Sequence, residues 1–337
     1  MKKALITGAL GQDGTYLIEH LLSLGYRVYG IVRKAPEASP WVRNWLYAEG
    51  QRSSKVEFIY GDVRDELSLR AAIIKAWPDE IYNLAGQVFV PLSWQQGAET
   101  FDVNVGGLLR ILKIVETVKR DTRVYQASSS EMFGNHEGSC TVFTPLNPTS
   151  PYGVSKSSAH KLVDMYRQKG LYVVAGILFN HESPRRGHEM VTRKIAAHVA
   201  GWAAGDQTEL FLGNVKSRRD WGFAGEYVKA MHLMLQQPKA RDYVVGTGVS
   251  HSVEDFLNES CKILGIDQDF VDKHVLVDER LTRIQEIYDM HADNRKTKDR
   301  LGWEPAVDFH QLVSMMVNAE QLRLKEHPSA LKAVAAL

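Results

Sequence analysis

Tyr152 and Lys156 stand four positions apart in TSPYGVSK (149–156), directly after Pro151. On a helix, side chains at that spacing share a face, one turn apart. An ammonium beside a phenol lowers the phenol pKa, and the pair then makes a base able to take the proton of an alcohol. Upstream, YQASSSEMFG supplies Ser129 and Ser130, either of which can hydrogen-bond the same alcohol oxygen. Glu131 follows them and adds a second acid/base, suited to removing a proton from the carbon beside a newly formed ketone. That set describes an elimination: an alcohol is oxidised, the neighbouring proton and a water depart, and the hydride returns with no net oxidation. Plainer readings compete, since Tyr-x-x-x-Lys arises by accident and serines at a strand end often cap the next helix.

Such chemistry needs a hydride carrier, and the N-terminus is patterned to hold one. KALIT (3–7) reads as a buried strand, GALGQDG (8–14) follows it, and a helical pattern begins near Thr15. Gly8 permits the tight turn, Gly11 lets backbone amides approach a pyrophosphate, and Gly14 allows helix to pack on strand. Gln12 and Asp13 complete that cradle; turn glycines without a ligand are the alternative. The second strand, RVYGIVR, ends with Arg33 and Lys34 where a carboxylate would favour NAD. A guanidinium suits a 2′-phosphate, so NADP is the expected cofactor, against two solvated loop charges. Asp62, after the third strand, is placed to accept from the adenine amino group, with Val63 beside it and Leu84 at the end of the fourth strand.

Strand candidates at 27–33, 56–63, 79–86, 122–130, 172–180 and 242–248 alternate with helical patterns such as LLRILKIVETVK (108–119). This alternation predicts an α/β fold: a Rossmann-type doubly wound parallel sheet with a smaller, interleaved C-terminal α/β substrate domain. The expected division is 1–179 plus about 220–250 for the dinucleotide, and about 180–219 plus 251–337 for the substrate. The alanine-rich tail (330–337) is expected to fray. Lys plus Arg (41) balances Asp plus Glu (40), so no global field points to nucleic acid or membrane as partner. Six cations, Arg185, Arg186, Arg193, Lys194, Arg218 and Arg219, instead concentrate in a short span, which suits a diphosphate; a solvated basic face, or an Arg219–Asp220 ion pair, is the alternative. Only Cys140 and Cys261 occur, without metal-ligand spacing, and no leader or long apolar run is present, so a cytoplasmic location is expected and no metal.

The stretches ALITGALGQDGTYL, GIVRK, EIYNLAGQ, YQASSSEMFG, SPYGVSK, GILFNHESPRRG, RRDWGFAGEYVKAM and LGWEP together resemble the extended short-chain dehydrogenase/reductases, and among them the GDP-mannose 4,6-dehydratase family. The resemblance implies that Ser129, Glu131, Tyr152 and Lys156 are catalytic, Tyr152 and Lys156 also touching NADP. It implies that Asn180, Lys194, Arg219 and Arg283 hold a GDP moiety, with Gln87 and Ser130 at the sugar, and that the protein is a homodimer or homotetramer. Three stretches depart from the family pattern: serine replaces threonine at Ser129, LTRIQEIYD (281–289) keeps Arg283 and Glu286 but lacks a proline, and QVFVPLSW (87–94) differs beside the sugar pocket. These bear on the hexose, GDP-mannose or a GDP-manno-heptose. The rivals are an epimerase or reductase of the same fold and, more distantly, a non-catalytic NADP-sensing regulator.

Overall fold

The computed structural model describes residues 1–36 and 55–326. Most of the stretch RKAPEASPWVRNWL (33–46) after the second strand, and the alanine-rich tail, lie outside the described residues. Seven parallel strands form the main sheet: β1 (Lys3–Thr7), β2 (Arg27–Val32), β3 (Val56–Tyr60), β4 (Glu80–Asn83), β5 (Arg123–Ser129) and, after the short β6 (Ser139–Cys140), β7 (Val173–Leu178), joined later by β11 (Asp242–Val245). Their spatial order is β11-β7-β5-β4-β1-β2-β3. The order reverses between β1 and β4, and a crevice opens at the carboxyl ends of strands at such a point.

Alternation along each strand feeds two hydrophobic layers. Ala4 and Ile6 of β1 face Leu17, Ile18 and Leu21 of helix Gln12–Ser23 and Met231 of helix Ala224–Gln236. Leu5 faces the other way, toward Ile73, Ile111 and Val163 of helices Glu66–Ala76, Gly107–Val118 and Pro151–Gln168. A strand covered on both sides carries apolar residues at consecutive positions, as KALIT does. The first helix begins at Gln12, three residues before the sequence pattern suggests, because its first turn is built from the glycine loop itself.

The rest of the chain forms β8 (Asn180–Glu182), β9 (Leu210–Leu212), β10 (Arg218–Phe223), β12 (Ser250–Ser252), β13 (Val275–Val277) and β14 (Asp289–Ala292). β10 is the hinge of this arrangement. Its first half pairs with β12 and β14, and its second half pairs with β8, which continues directly from β7. A third hydrophobic cluster joins helices Val191–Ala203, Val253–Leu264 and Phe309–Glu326 around Trp202, Phe256 and Met316. The cleft lies between this body and the carboxyl edge of the main sheet.

Candidate active site

Backbone-to-backbone contact shapes the glycine loop. Gly8 has φ +68°, and a Cβ there would lie 2.8 Å from Ala85 N. At Gly14 a Cβ would lie 2.4 Å from Gly8 O. Across the switch point Thr7 Oγ1 donates to Asn83 Oδ1 (2.7 Å) and accepts from Ala85 N (3.0 Å), fixing the β1 and β4 ends to each other. Gly11 caps the helix with no side-chain acceptor on its first N–H groups. Unsatisfied amides on a tight loop at a helix N-terminus fit a dinucleotide pyrophosphate. Asp13 and Leu84 line the cleft, and Asp13 turns its carboxylate to His181 (Nε2 to Oδ2, 2.9 Å). His181 Nδ1 meets the Phe179 carbonyl at 2.7 Å. Both ring nitrogens thus face acceptors, which requires the imidazolium. Burial opposes that charge, but Asp13 outweighs it and raises the His181 pKa.

The adenosine end differs from expectation at Asp62. Its carboxylate is already engaged: Arg64 N and Nε reach Oδ1 at 2.9 and 3.1 Å, and Nη2 reaches Oδ2 at 2.8 Å. Those bonds hold Asp62 below the usual carboxylate range, and an adenine amino group would have to share its remaining lone pairs. Arg33 and Lys34 are exposed just beyond β2, and Arg64, absent from the sequence candidates, is paired with Asp62 and Glu99. The Val63 side chain is buried against Gly107.

The catalytic candidates converge. Ser129 ends β5, and Ser130 to Met132 form a 3-10 turn. Helix Pro151–Gln168 starts there because Ser150 Oγ accepts from Gly153 N (3.0 Å) and Pro151 occupies the first turn, where a missing N–H goes unfelt. Gly153 lets the helix press on the turn, for a Cβ would sit 2.7 Å from Glu131 O. Tyr152, Lys156, Ser129, Ser130 and Glu131 consequently line one cleft of about 370 Å³. Lys156 Nζ donates to Ala127 O at 2.9 Å and lies 5.8 Å from the Tyr152 ring centre.

Charge in the cleft corrects one expectation. The Tyr152 phenol is pushed up to about 12, by burial first; the Ser129 hydroxyl lowers it and Glu131 raises it. Burial takes Lys156 down from 10.5 to about 8. Lys156 therefore does not depress the phenol by itself, because the same desolvation that lifts the phenol weakens the ammonium.

Only part of the basic segment reaches the site. Arg186, Lys194, Arg219 and Arg283 line the cleft with Asn180. Arg185 is spent on Glu19 (2.7 Å) and stacks over Tyr16, Arg193 on buried Glu320 (2.8 Å), and Arg218 on Asp255 (3.3 Å) and the Ser250 carbonyl. Arg219 donates to the carbonyls of Ile287 (2.7 Å) and Arg218 (2.8 Å) and approaches Glu286 at 3.5 Å. Asp220 is not its partner: that carboxylate accepts from Thr247 N, Gly248 N and Ala292 N. Arg283 Nη1 meets both oxygens of Glu131, at 3.0 and 3.2 Å. Gln87 does not line the cleft; its amide nitrogen donates to Phe89 O (2.9 Å), and its buried Oε1 has no partner among the described residues. In its stead Val88, Phe89 and Pro91 of the divergent QVFVPLSW stretch form an apolar wall. His181, contained in NHESPRRG but not among the sequence candidates, also lines the cleft, as does Glu286, which the sequence reading noted only as matching the family pattern.

Comparison with known proteins agrees with this geometry. The model of the family described as GDP-mannose 4,6 dehydratase matches residues 5–316. "GDP-mannose 4,6 dehydratase 1" of Arabidopsis thaliana is 44% identical, over 98% of this chain and 92% of its own. The human GDP-mannose 4,6 dehydratase is 40% identical, over 97% and 93%. The crystal structure of dTDP-glucose 4,6-dehydratase from Bacillus anthracis, in complex with NAD, superposes with a TM-score of 0.82 at 20% identity, covering 99% of this chain and all of that one, a likeness of fold. With the glycine loop, the serine-glutamate turn and the tyrosine-lysine helix all in place over a match spanning nearly the whole length, the chain belongs to the GDP-mannose 4,6-dehydratase family.

Proposed function

We propose that this chain is an NADP-dependent GDP-sugar 4,6-dehydratase, converting GDP-mannose, or the equivalent GDP-manno-heptose, to its 4-keto-6-deoxy form. The observation that carries the reading is Glu131 sharing the cleft with Ser129, Tyr152 and Lys156, because a simple alcohol oxidation needs no such carboxylate. When bound, NADP would supply a hydride acceptor that later gives the hydride back, so none would be consumed. Tyr152 Oη takes the proton of the C4 hydroxyl, with Ser129 on the same oxygen and Lys156 as neighbouring cation. The C4 ketone acidifies C5, Glu131 removes that proton and passes it to the C6 hydroxyl, and the freed electron pair expels that group as water. Once the hydride is restored at C6, the proton held on Tyr152 Oη goes to C5. Arg219, fixed by two carbonyls, faces the diphosphate with Lys194, Asn180 and Arg283.

In the same reading, 1–179 with about 220–250 hold the cofactor, and about 180–219 with 251–337 hold the substrate. We also infer a cytoplasmic homodimer or homotetramer; among the described residues no helix is long and apolar enough to cross a membrane. The test is incubation with catalytic NADP and, separately, GDP-mannose and GDP-manno-heptose, followed by mass spectrometry. Loss of one water without accumulating NADPH supports the reading and identifies the sugar. An unchanged mass with an epimerised product, or stoichiometric NADPH, replaces it with an epimerase or reductase.

A further inference from the structure

The two arginines of the cleft are held in different ways. Arg219 is nearly buried and is anchored to two main-chain carbonyls, so its guanidinium is fixed whatever the cleft contains. Arg283 follows the exposed turn Glu279–Leu281, next to Ile284, whose side chain is 73% exposed. Among the described residues, its one hydrogen-bonded contact is Nη1 to the Glu131 carboxylate. Glu131 is itself 8% exposed while the Arg283 side chain keeps 32%, so the carboxylate rather than the guanidinium is removed from water, and both carboxylate oxygens are engaged by one donor. One donor leaves some of the carboxylate's four lone-pair sites open, but the pair holds the carboxylate against Arg283 and ties that guanidinium away from any other anion in the cleft.

Resting on the dehydratase reading, we propose that Arg283 is a substrate-operated latch on Glu131. In the free protein the guanidinium is paired with the base. When a nucleotide diphosphate enters, its phosphate oxygens compete for Arg283, draw it toward the fixed Arg219, and release Glu131 at the moment a sugar lies in front of it. The substrate diphosphate therefore does two things, holding the molecule and freeing the base, and part of its binding energy goes into breaking the pair. Glu286 lies 3.5 Å from Arg219 Nη2, so a second carboxylate stands beside the two arginines.

The consequence is thermodynamic and needs no turnover. GDP binding to the wild type must break the Arg283–Glu131 pair, so Glu131→Gln tightens GDP binding. A charge-assisted hydrogen bond of this kind corresponds to roughly tenfold in the dissociation constant. In the Arg283→Met background no pair exists to break, and adding Glu131→Gln changes GDP affinity less than about twofold, the scatter of independent sites. Isothermal titration of the NADP-loaded protein with GDP, for the wild type, both single variants and the double variant, reads this coupling. Arg283→Lys, which keeps the charge, restores part of the tightening and guards against a fold defect in the Met variant. The latch is overturned if Glu131→Gln leaves GDP affinity unchanged. It is equally overturned if the same tightening persists in the Arg283→Met background, because the cause is then general repulsion between Glu131 and the phosphates. Absence of any GDP binding to NADP-loaded wild type removes the nucleotide-sugar reading itself, and the latch with it.

Discussion

Replacing Gly14 by alanine tests whether the loop after β1 is a phosphate cradle. The added Cβ would lie 2.4 Å from Gly8 O and 2.8 Å from Ala9 Cα, whereas unstrained heavy atoms sit ~3.5–4.0 Å apart. All of these neighbours are backbone, so no side chain can swing away and the loop must move by about 1 Å. Overpacking of this sort destabilises a fold by ~1–3 kcal/mol, which a chain of this size tolerates. The larger effect falls on the ligand, because hydrogen bonds to a charged group are each worth ~1.5–3 kcal/mol and are lost when the amides are misaligned. A dissociation constant about a hundredfold weaker follows from one or two such bonds. At NADP a hundred times above the wild-type constant, ligand stabilises the wild type by about 2.7 kcal/mol and the variant by about 0.4. Titration calorimetry with NADP and thermal unfolding with and without it measure both numbers. A folded Gly14→Ala protein that binds NADP within about twofold of the wild type would show that the cradle does not hold the pyrophosphate.

Glu131→Gln keeps NADP binding but loses dehydration by about 10²–10⁴-fold, the usual contribution of a positioned acid/base, and normal turnover would make Glu131 structural. Tyr152→Phe also loses the first oxidation; single-turnover formation of NADPH in that variant would reassign the base. Arg193→Met leaves Glu320 with Arg323 alone, so denaturant unfolding reports a loss toward the lower end of the ~3–5 kcal/mol typical of breaking a buried pair. An unchanged midpoint would contradict the burial of that pair. His20, pushed by burial and then by His232 and Lys229 from 6.5 to about 4, is neutral in the fold, and the unfolded chain binds the extra proton. Stability attributable to it is full above pH 6.5 and is lost as pH falls toward 4. His20→Gln flattens that limb of a stability-against-pH curve, and an unaltered limb would show that His20 does not titrate with folding.

Where a neighbour in sequence is also the neighbour in space, the sequence determined the outcome. Tyr152 and Lys156 share a face because helix geometry makes any such pair do so, and Pro151 and Ser150 mark where that helix begins. The same holds for KALIT and the glycine loop, whose apolar run and missing side chains act within a few residues of themselves. Helix starts and strand ends shift by a few residues because loops such as Gly8–Gly11 are shared by both elements. What depended on packing was decided by the tertiary structure. Six cations in one segment are chemically equivalent on paper, yet Arg193 turns to Glu320 and Arg185 to Glu19 while Arg186, Lys194 and Arg219 line the cleft. Which carboxylate each one meets is fixed by how β8 pairs with β10 and where helix Val191–Ala203 packs against Phe309–Glu326, and no local rule encodes that. Protonation also belongs to the fold, since burial moves Tyr152 up and Lys156 down regardless of their spacing. The pairing of Arg283 with Glu131 joins residues 152 positions apart, brought together only when the body carrying Arg283 docks over the carboxyl edge of the sheet.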